Sequence, residues 1–211
     1  MKKITLIIGL AIMLINLNAN GQKSSTDFGV KAGLNYSSFI KGNDIPSEFP
    51  IEFNGKIGFH IGGFFKLGLT EKLKLKPELL FSMQGAEYEI SLVDIEIQDP
   101  NDPFFVDKYK VDIKESLILL PIMLDYYLNE KFDIEFGPQL GFVISHKTSD
   151  NNETFNFEID DSEKFEIGLN LGLGYNFSDK YRIGLRYNYG IMERDNRKSS
   201  VFQIGLEYKI K

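Results

Sequence analysis

The chain has no cysteine, no tryptophan and only two histidines, His60 and His146. Without cysteine there can be no disulfide, no thiolate metal site and no lipid-modified N-terminal Cys. A basic stripe is also missing. Acidic residues outnumber Lys and Arg 30 to 24, for a net charge of −6, which argues against nucleic acid as a partner. Beyond the first 20 or so residues no run is long and apolar enough for a membrane-spanning helix. What is plentiful is aromatic and small: 18 Phe, 10 Tyr and 19 Gly. That balance favours a β-rich protein, and the length suits one domain or a single barrel.

The N-terminus reads as an address. Met1-Lys2-Lys3 is a short positive region, Ile4 to Leu17 is mostly apolar, and Ala19-Asn20-Gly21 offers small residues for a signal peptidase. The apolar run is shorter than the roughly 20 residues a spanning helix needs. Residues 1–21 are therefore expected to be a cleaved secretory signal, 22–27 a short polar leader, and 28–211 the folded domain.

The clearest stretch of that domain is Phe165 to Ile191. Phe165, Ile167, Leu169, Leu171, Leu173, Tyr175 and Phe177 alternate with Glu166, Gly168, Asn170, Gly172, Gly174 and Asn176. After the turn Ser178-Asp179-Lys180 the alternation resumes, with Tyr181, Ile183, Leu185, Tyr187 and Tyr189 against Arg182, Gly184, Arg186 and Asn188. Period-two alternation on both sides of a short polar turn is a β-hairpin with one apolar face. Similar alternation predicts strands over 28–39, 56–69, 73–89, 114–128, 132–146 and 201–211. Pro121 is expected to force a bulge in the fourth strand.

Connections alternate in length. Those after strands two, four and six are short and alike: Leu69-Thr-Glu-Lys-Leu73, Leu128-Asn-Glu-Lys-Phe132 and Phe177-Ser-Asp-Lys-Tyr181. Those after strands one, three, five and seven are long or irregular. Hydrocarbon offers the backbone no hydrogen-bond partner, so a sheet spans a bilayer only when closed. An even strand number, short turns at one end and long loops at the other then predict an all-β fold. It is an eight-stranded antiparallel up-and-down transmembrane β-barrel with short periplasmic turns and long outer loops. Phe28, Phe65, Tyr126, Phe132, Tyr175, Phe177, Tyr181 and Tyr208 gather at the short-turn end, as an interfacial girdle would. The rival reading is a soluble lipocalin-like barrel binding an apolar ligand, which turns the same alternation inside out.

The segments FGVKAGLNYSSF, LLPIMLDYYL, GPQLGFVIS and GLGYNFSDKYRIGLRYNYG resemble the porin-like outer-membrane β-barrel family of Gram-negative bacteria that includes PorT-type proteins. The resemblance covers roughly residues 27 to 211. It implies location in the cell outer membrane and, for PorT-type members, an accessory role in protein secretion. Many such barrels end in an aromatic residue read during assembly, whereas this chain ends Tyr208-Lys209-Ile210-Lys211, leaving Tyr208 to serve from further in.

The interior of an eight-stranded barrel is just wide enough for side chains to fill it, so no open pore is expected. Arg182 and Arg186 should find carboxylates among Glu166, Glu135 and Glu207, because buried charges need partners. His60 shares the interior parity and reads as a core hydrogen-bonding group. His146 lies at the outer end of strand five near Ser145, Thr148 and Ser149. A rim-sited lipid-modifying enzyme is the least favoured alternative, since no motif fixes a nucleophile–base pair. Acid-rich segments run from Asp94 to Asp107 and from Asp150 to Glu163, without the ordered spacing of a calcium loop. The sequence thus assigns no catalytic, cofactor-binding or metal-ligating residue and predicts a non-enzymatic protein. Its structural, surface-interaction or secretion-accessory role would be carried by the outer loops. Outer-membrane lipid, lipopolysaccharide and protein partners at the loops or turns are the contacts to expect, with no nucleic acid.

Overall fold

A computed structural model describes residues 26–42, 51–91, 108–150, 153–156 and 164–211. The expected export segment and most of both acid-rich segments lie outside the described residues. Nine strands follow in chain order: β1 (Thr26–Lys41), β2 (Ile51–Gly68), β3 (Leu73–Ser91), β4 (Lys108–Tyr127), β5 (Phe132–Asp150), β6 (Glu153–Asn156), β7 (Phe165–Asn176), β8 (Tyr181–Gly190) and β9 (Arg197–Lys209). Each long strand pairs antiparallel with its neighbours in sequence, and β1 pairs with β9 to close the ring. The short β6 hangs on the outer end of β5 alone. The result is the expected closed meander of eight staves.

Alternation decides which side of the wall each residue takes. Along β7 every odd-numbered residue from Phe165 to Leu173 is exposed and every even-numbered one from Glu166 to Gly174 is buried. The exposed set around the barrel is apolar: Leu34 and Tyr36 on β1, Ile61 and Phe65 on β2, Leu171 (62% exposed) and Leu173 on β7, Leu185 on β8, Phe202 and Ile204 on β9. The buried set is charged, with Lys31, Lys76, Glu78, Asp133, Glu135, Arg182, Arg186 and Glu207 all inside. Each exposed side chain would cost about 1.5–3 kcal/mol in water relative to an apolar medium, so the outer face is built for hydrocarbon. A lipocalin-like barrel requires the reverse, and this geometry overturns that alternative.

The three matched turns share one mechanism. The Thr70 hydroxyl accepts hydrogen bonds from the backbone N–H groups of Lys72 and Leu73, at 3.3 and 3.0 Å. The Asn129 amide oxygen does the same for Lys131 and Phe132, both at 2.9 Å. The Ser178 hydroxyl takes Lys180 and Tyr181 at 3.3 and 3.2 Å. A short polar side chain that accepts from the next N–H groups holds a turn that the strand ladder cannot satisfy. Beside these turns sit the aromatic pairs Phe132–Tyr175, Phe177–Tyr181 and Tyr181–Tyr208, with ring centroids 4.9 to 5.7 Å apart.

Three expectations need correction, the first two at the opposite end. Strands reach further than the apolar alternation: β2 begins at Ile51, β4 at Lys108 and β9 at Arg197, and β5 runs on to Asp150. There the pattern inverts. Phe39, Ala86, Val111 and Ile113 form a buried apolar cluster packed by Phe53 and Tyr88, while Lys114 faces out. A sheet standing in water hides its apolar face, so these extensions read as loop to a search for lipid-facing alternation. The connection after β8 ends in a two-residue turn, Asp195-Asn196, both with positive φ (46° and 54°). Arg194 and Arg197 exchange backbone hydrogen bonds across it at 2.9 Å; Asp and Asn are the non-glycine residues that best tolerate that region. Finally, Pro121 sits in register opposite Gln139 without a bulge. The β4–β5 ladder slips instead between Ser116 and Leu117, where Ile144 of β5 is the extra residue.

Candidate functional site

The interior is the richest concentration of chemistry in the molecule. Five cations and five carboxylates interlock there. Lys76 Nζ lies 2.7 Å from Glu135, 3.1 Å from both Asp125 and Glu207, and 3.6 Å from Glu78. Arg182 reaches Asp133 at 2.6 Å, Glu207 at 2.7 Å and Glu135 at 3.0 Å. Arg186 holds Glu78 and Glu135, each at 2.7 Å. Lys31 adds a contact to Glu78 at 3.3 Å and Lys66 one to Glu207 at 3.1 Å. Of the partners predicted for the two arginines, Glu135 and Glu207 serve. Glu166 does not, being level with the outer mouth and paired elsewhere. Gly174 makes room for this layer, since a Cβ there would collide with the Arg182 guanidinium.

Toward the outer end the filling turns from ionic to polar. His60 Nδ1 is 2.7 Å from the Asn35 amide oxygen, and the Asn35 amide donates to Ser82 Oγ at 2.8 Å. Across the barrel, Asn188 donates to Asn170 at 3.0 Å and Asn170 to Gln139 at 3.4 Å. Leu80, Leu117, Leu119 and Val143 complete the packing beside them. His60 is thus a core hydrogen-bonding group.

At the mouth the β5 bulge matters. Strict alternation would put His146 on the lipid side with Phe142 and Ile144; the extra residue turns it inward. His146 Nδ1 lies 3.0 Å from Glu115 Oε1, and Thr148 Oγ1 lies 3.3 Å from His146 Nε2. Arg194, placed in a loop by sequence, enters from the β8–β9 turn and bonds Glu115 Oε2 at 2.8 Å and Glu166 Oε2 at 3.3 Å. Hydroxyl, imidazole and carboxylate in that order is the layout of a nucleophilic triad. Here, however, the Glu115 charge is committed to Arg194, which weakens its power to stabilise an imidazolium. The same contacts tie three strands and a turn together across the mouth. No sequence signal announced the bulge, because Ile144, Ser145 and His146 keep ordinary strand character.

Two carboxylate sets converge closely enough to hold a cation, Glu78–Glu135–Glu207 and Asp125–Asp133–Glu135. Lys76 and the guanidiniums of Arg182 and Arg186 already stand among them. A divalent ion would have to displace these groups, so neither set fits one. At the short-turn end a cavity of about 260 Å³ is lined by Lys66, Arg182 and Glu207 at the ion layer and by Lys131 and Lys180 at the turns.

Comparison with known proteins agrees with this architecture. The model of a family described as "Outer membrane protein beta-barrel domain" matches residues 18–196. Neisserial surface protein A superposes with a TM-score of 0.53 at 12% identity, over 88% of this chain and 99% of that one. Ail of Yersinia pestis gives 0.47 at 12% identity over the same shares. OprG of Pseudomonas aeruginosa gives 0.42 at 14%, over 89% and 97%. At 12% identity the likeness to Neisserial surface protein A is one of fold. No curated protein matches the chain.

Proposed function

The chain belongs to the outer membrane protein beta-barrel domain family and resides in the cell outer membrane, and from that premise we propose a non-enzymatic barrel without an open pore. Its role is structural, surface-interacting or secretion-accessory, and is carried by the outer loops, with outer-membrane lipid and lipopolysaccharide as its surroundings. The PorT-type resemblance, carried by segments of β1, β4, β5, β7 and β8, makes a secretion-accessory role one form of it, and residues 1–21 are its export signal.

One observation carries the closed-pore reading: Lys76, fully buried in the barrel interior, bridges carboxylates from three other strands. An ion crossing the barrel would have to break those contacts, and opening a buried pair leaves uncompensated charge at a cost of about 3–5 kcal/mol. The non-enzymatic reading is supported by the commitment of Glu115 to Arg194. Purified protein showing heat-modifiable gel mobility is to be reconstituted into planar bilayers at 1 M KCl. No stepwise conductance is expected, and a steady open channel overturns the closed-pore reading. Lipid A isolated from cells with and without His146→Asn should be identical, and a difference overturns the non-enzymatic one.

A further inference from the structure

The extra residue at Ile144 has a second effect, on the outer surface. It carries Lys147 to the outward face, where it stands directly opposite Lys114 of β4. Both are exposed. Side chains of directly opposed residues are neighbours, and like charges in that position destabilise a sheet. One step nearer the membrane, Ser116 and Ser145 form the next opposed pair, bringing two hydroxyls to the same face. Asp112 meets Lys114 at 3.3 Å and also pairs with Lys56, on the side away from the membrane. Below the serines the surface turns apolar at once, with Ile118, Phe142, Ile144 and Phe165 exposed. Phe142 and Phe165 pack edge to face at 5.2 Å. Lys147 lies three residue steps beyond Ile144, which in a tilted strand is about 7 Å of height. Ammonium groups therefore sit at headgroup level above side chains that meet acyl chains.

We propose that Lys114 and Lys147, with Ser116 and Ser145, form a site for a phosphate group of the lipopolysaccharide in the outer leaflet. The site rests on the reading that the long-loop end faces outward. Two ammoniums and two hydroxyls are donors that one strongly accepting anion can take together, with Lys114 shared between it and Asp112, and such an anion converts the Lys–Lys repulsion into a bridge. The apolar shelf beneath selects an anion that carries acyl chains over a free one. In a chain of net charge −6 the patch runs against the overall sign.

The test is native mass spectrometry of the full-length barrel from detergent micelles doped with bis-phosphorylated lipid A, dephosphorylated lipid A or inorganic phosphate. Heat-modifiable mobility of each sample reports independently that the barrel has formed; its loss would count against the barrel reading. The wild type is expected to retain bis-phosphorylated lipid A over the dephosphorylated form. The K114Q/K147Q protein should retain about thirty-fold less, the worth of two lysines at a charged membrane surface. K131Q/K180Q, at the opposite end, should bind as the wild type does. Equal retention by K114Q/K147Q and wild type, or an equal loss in K131Q/K180Q, overturns the site. Competition by millimolar inorganic phosphate overturns the assignment to a lipid headgroup.

Discussion

Leu171 and Asn170 are neighbours in β7 that face different surroundings, one 62% exposed and one 3%. Leu171→Arg should cost about 2–4 kcal/mol in a bilayer and much less in detergent micelles, where the head can reach water. Asn170→Arg acts on a different term. Asn170 is wedged between Gln139 and Asn188, so the larger side chain overfills a packed interior, at about 1–3 kcal/mol in either medium. Urea unfolding in bilayers and in micelles measures both, and identical behaviour of the two variants would contradict the inside–outside assignment. Glu135 is the second residue to test, because Lys76, Arg182 and Arg186 all converge on it. Glu135→Gln strands buried positive charge and should cost about 3–5 kcal/mol. Adding Arg186→Gln should recover part of that loss, which a double-mutant cycle reads directly.

At the scale of elements, the bulge in β5 is the feature on which most else turns. One inserted residue sets His146 against Glu115 inside and Lys147 against Lys114 outside. Deleting Ile144 should join Val143 directly to Ser145 and make the β4–β5 ladder continuous, leaving His146 inward opposite Glu115 and Lys147 outward opposite Lys114. The deletion should therefore keep the His146 contact to Glu115, whose loss would be worth about 1–3 kcal/mol. Ile144→Ala keeps the bulge and should cost about 1 kcal/mol or less, since it trims an exposed side chain. Unfolding measurements should find the deletion nearly as mild as the alanine, and a loss of more than about 3 kcal/mol would mean that His146 had turned away from Glu115. The opposite end was far more legible. Thr70, Asn129 and Ser178 announced their turns because a turn capped by its own side chain is a local device, complete within five residues.

The whole molecule keeps its charges in two separate compartments. Among the described residues, five cations and five carboxylates are sealed in the barrel, and nearly all other charge lies toward the two ends. Salt screens exposed charges and barely touches buried ones. The unfolding free energy in neutral-lipid bilayers should therefore change by less than about 1 kcal/mol between 0.1 and 1 M NaCl. A large fall would mean that water and ions reach the network. The molecule is also stratified along its axis, with apolar outside and ionic inside at mid-height, and apolar inside beyond the bulge. Sequence alternation reported the first layer well. It missed the second, because Val111 and Ile113 share a parity with Asp125 and only their height relative to the bilayer differs.

Sequence alone determined the closed eight-stave barrel, its short-turn end and the side of the wall each mid-strand residue takes. Those follow from a period of two, from local turn chemistry and from the refusal of hydrocarbon to bond a bare backbone. Tertiary structure decided which carboxylate meets which arginine, where the strands end and which way His146 and Lys147 point. Pairing across a barrel joins residues such as Arg186 and Glu78, 108 positions apart, through strand tilt and register that no local pattern encodes. A single inserted residue resets facing for everything beyond it.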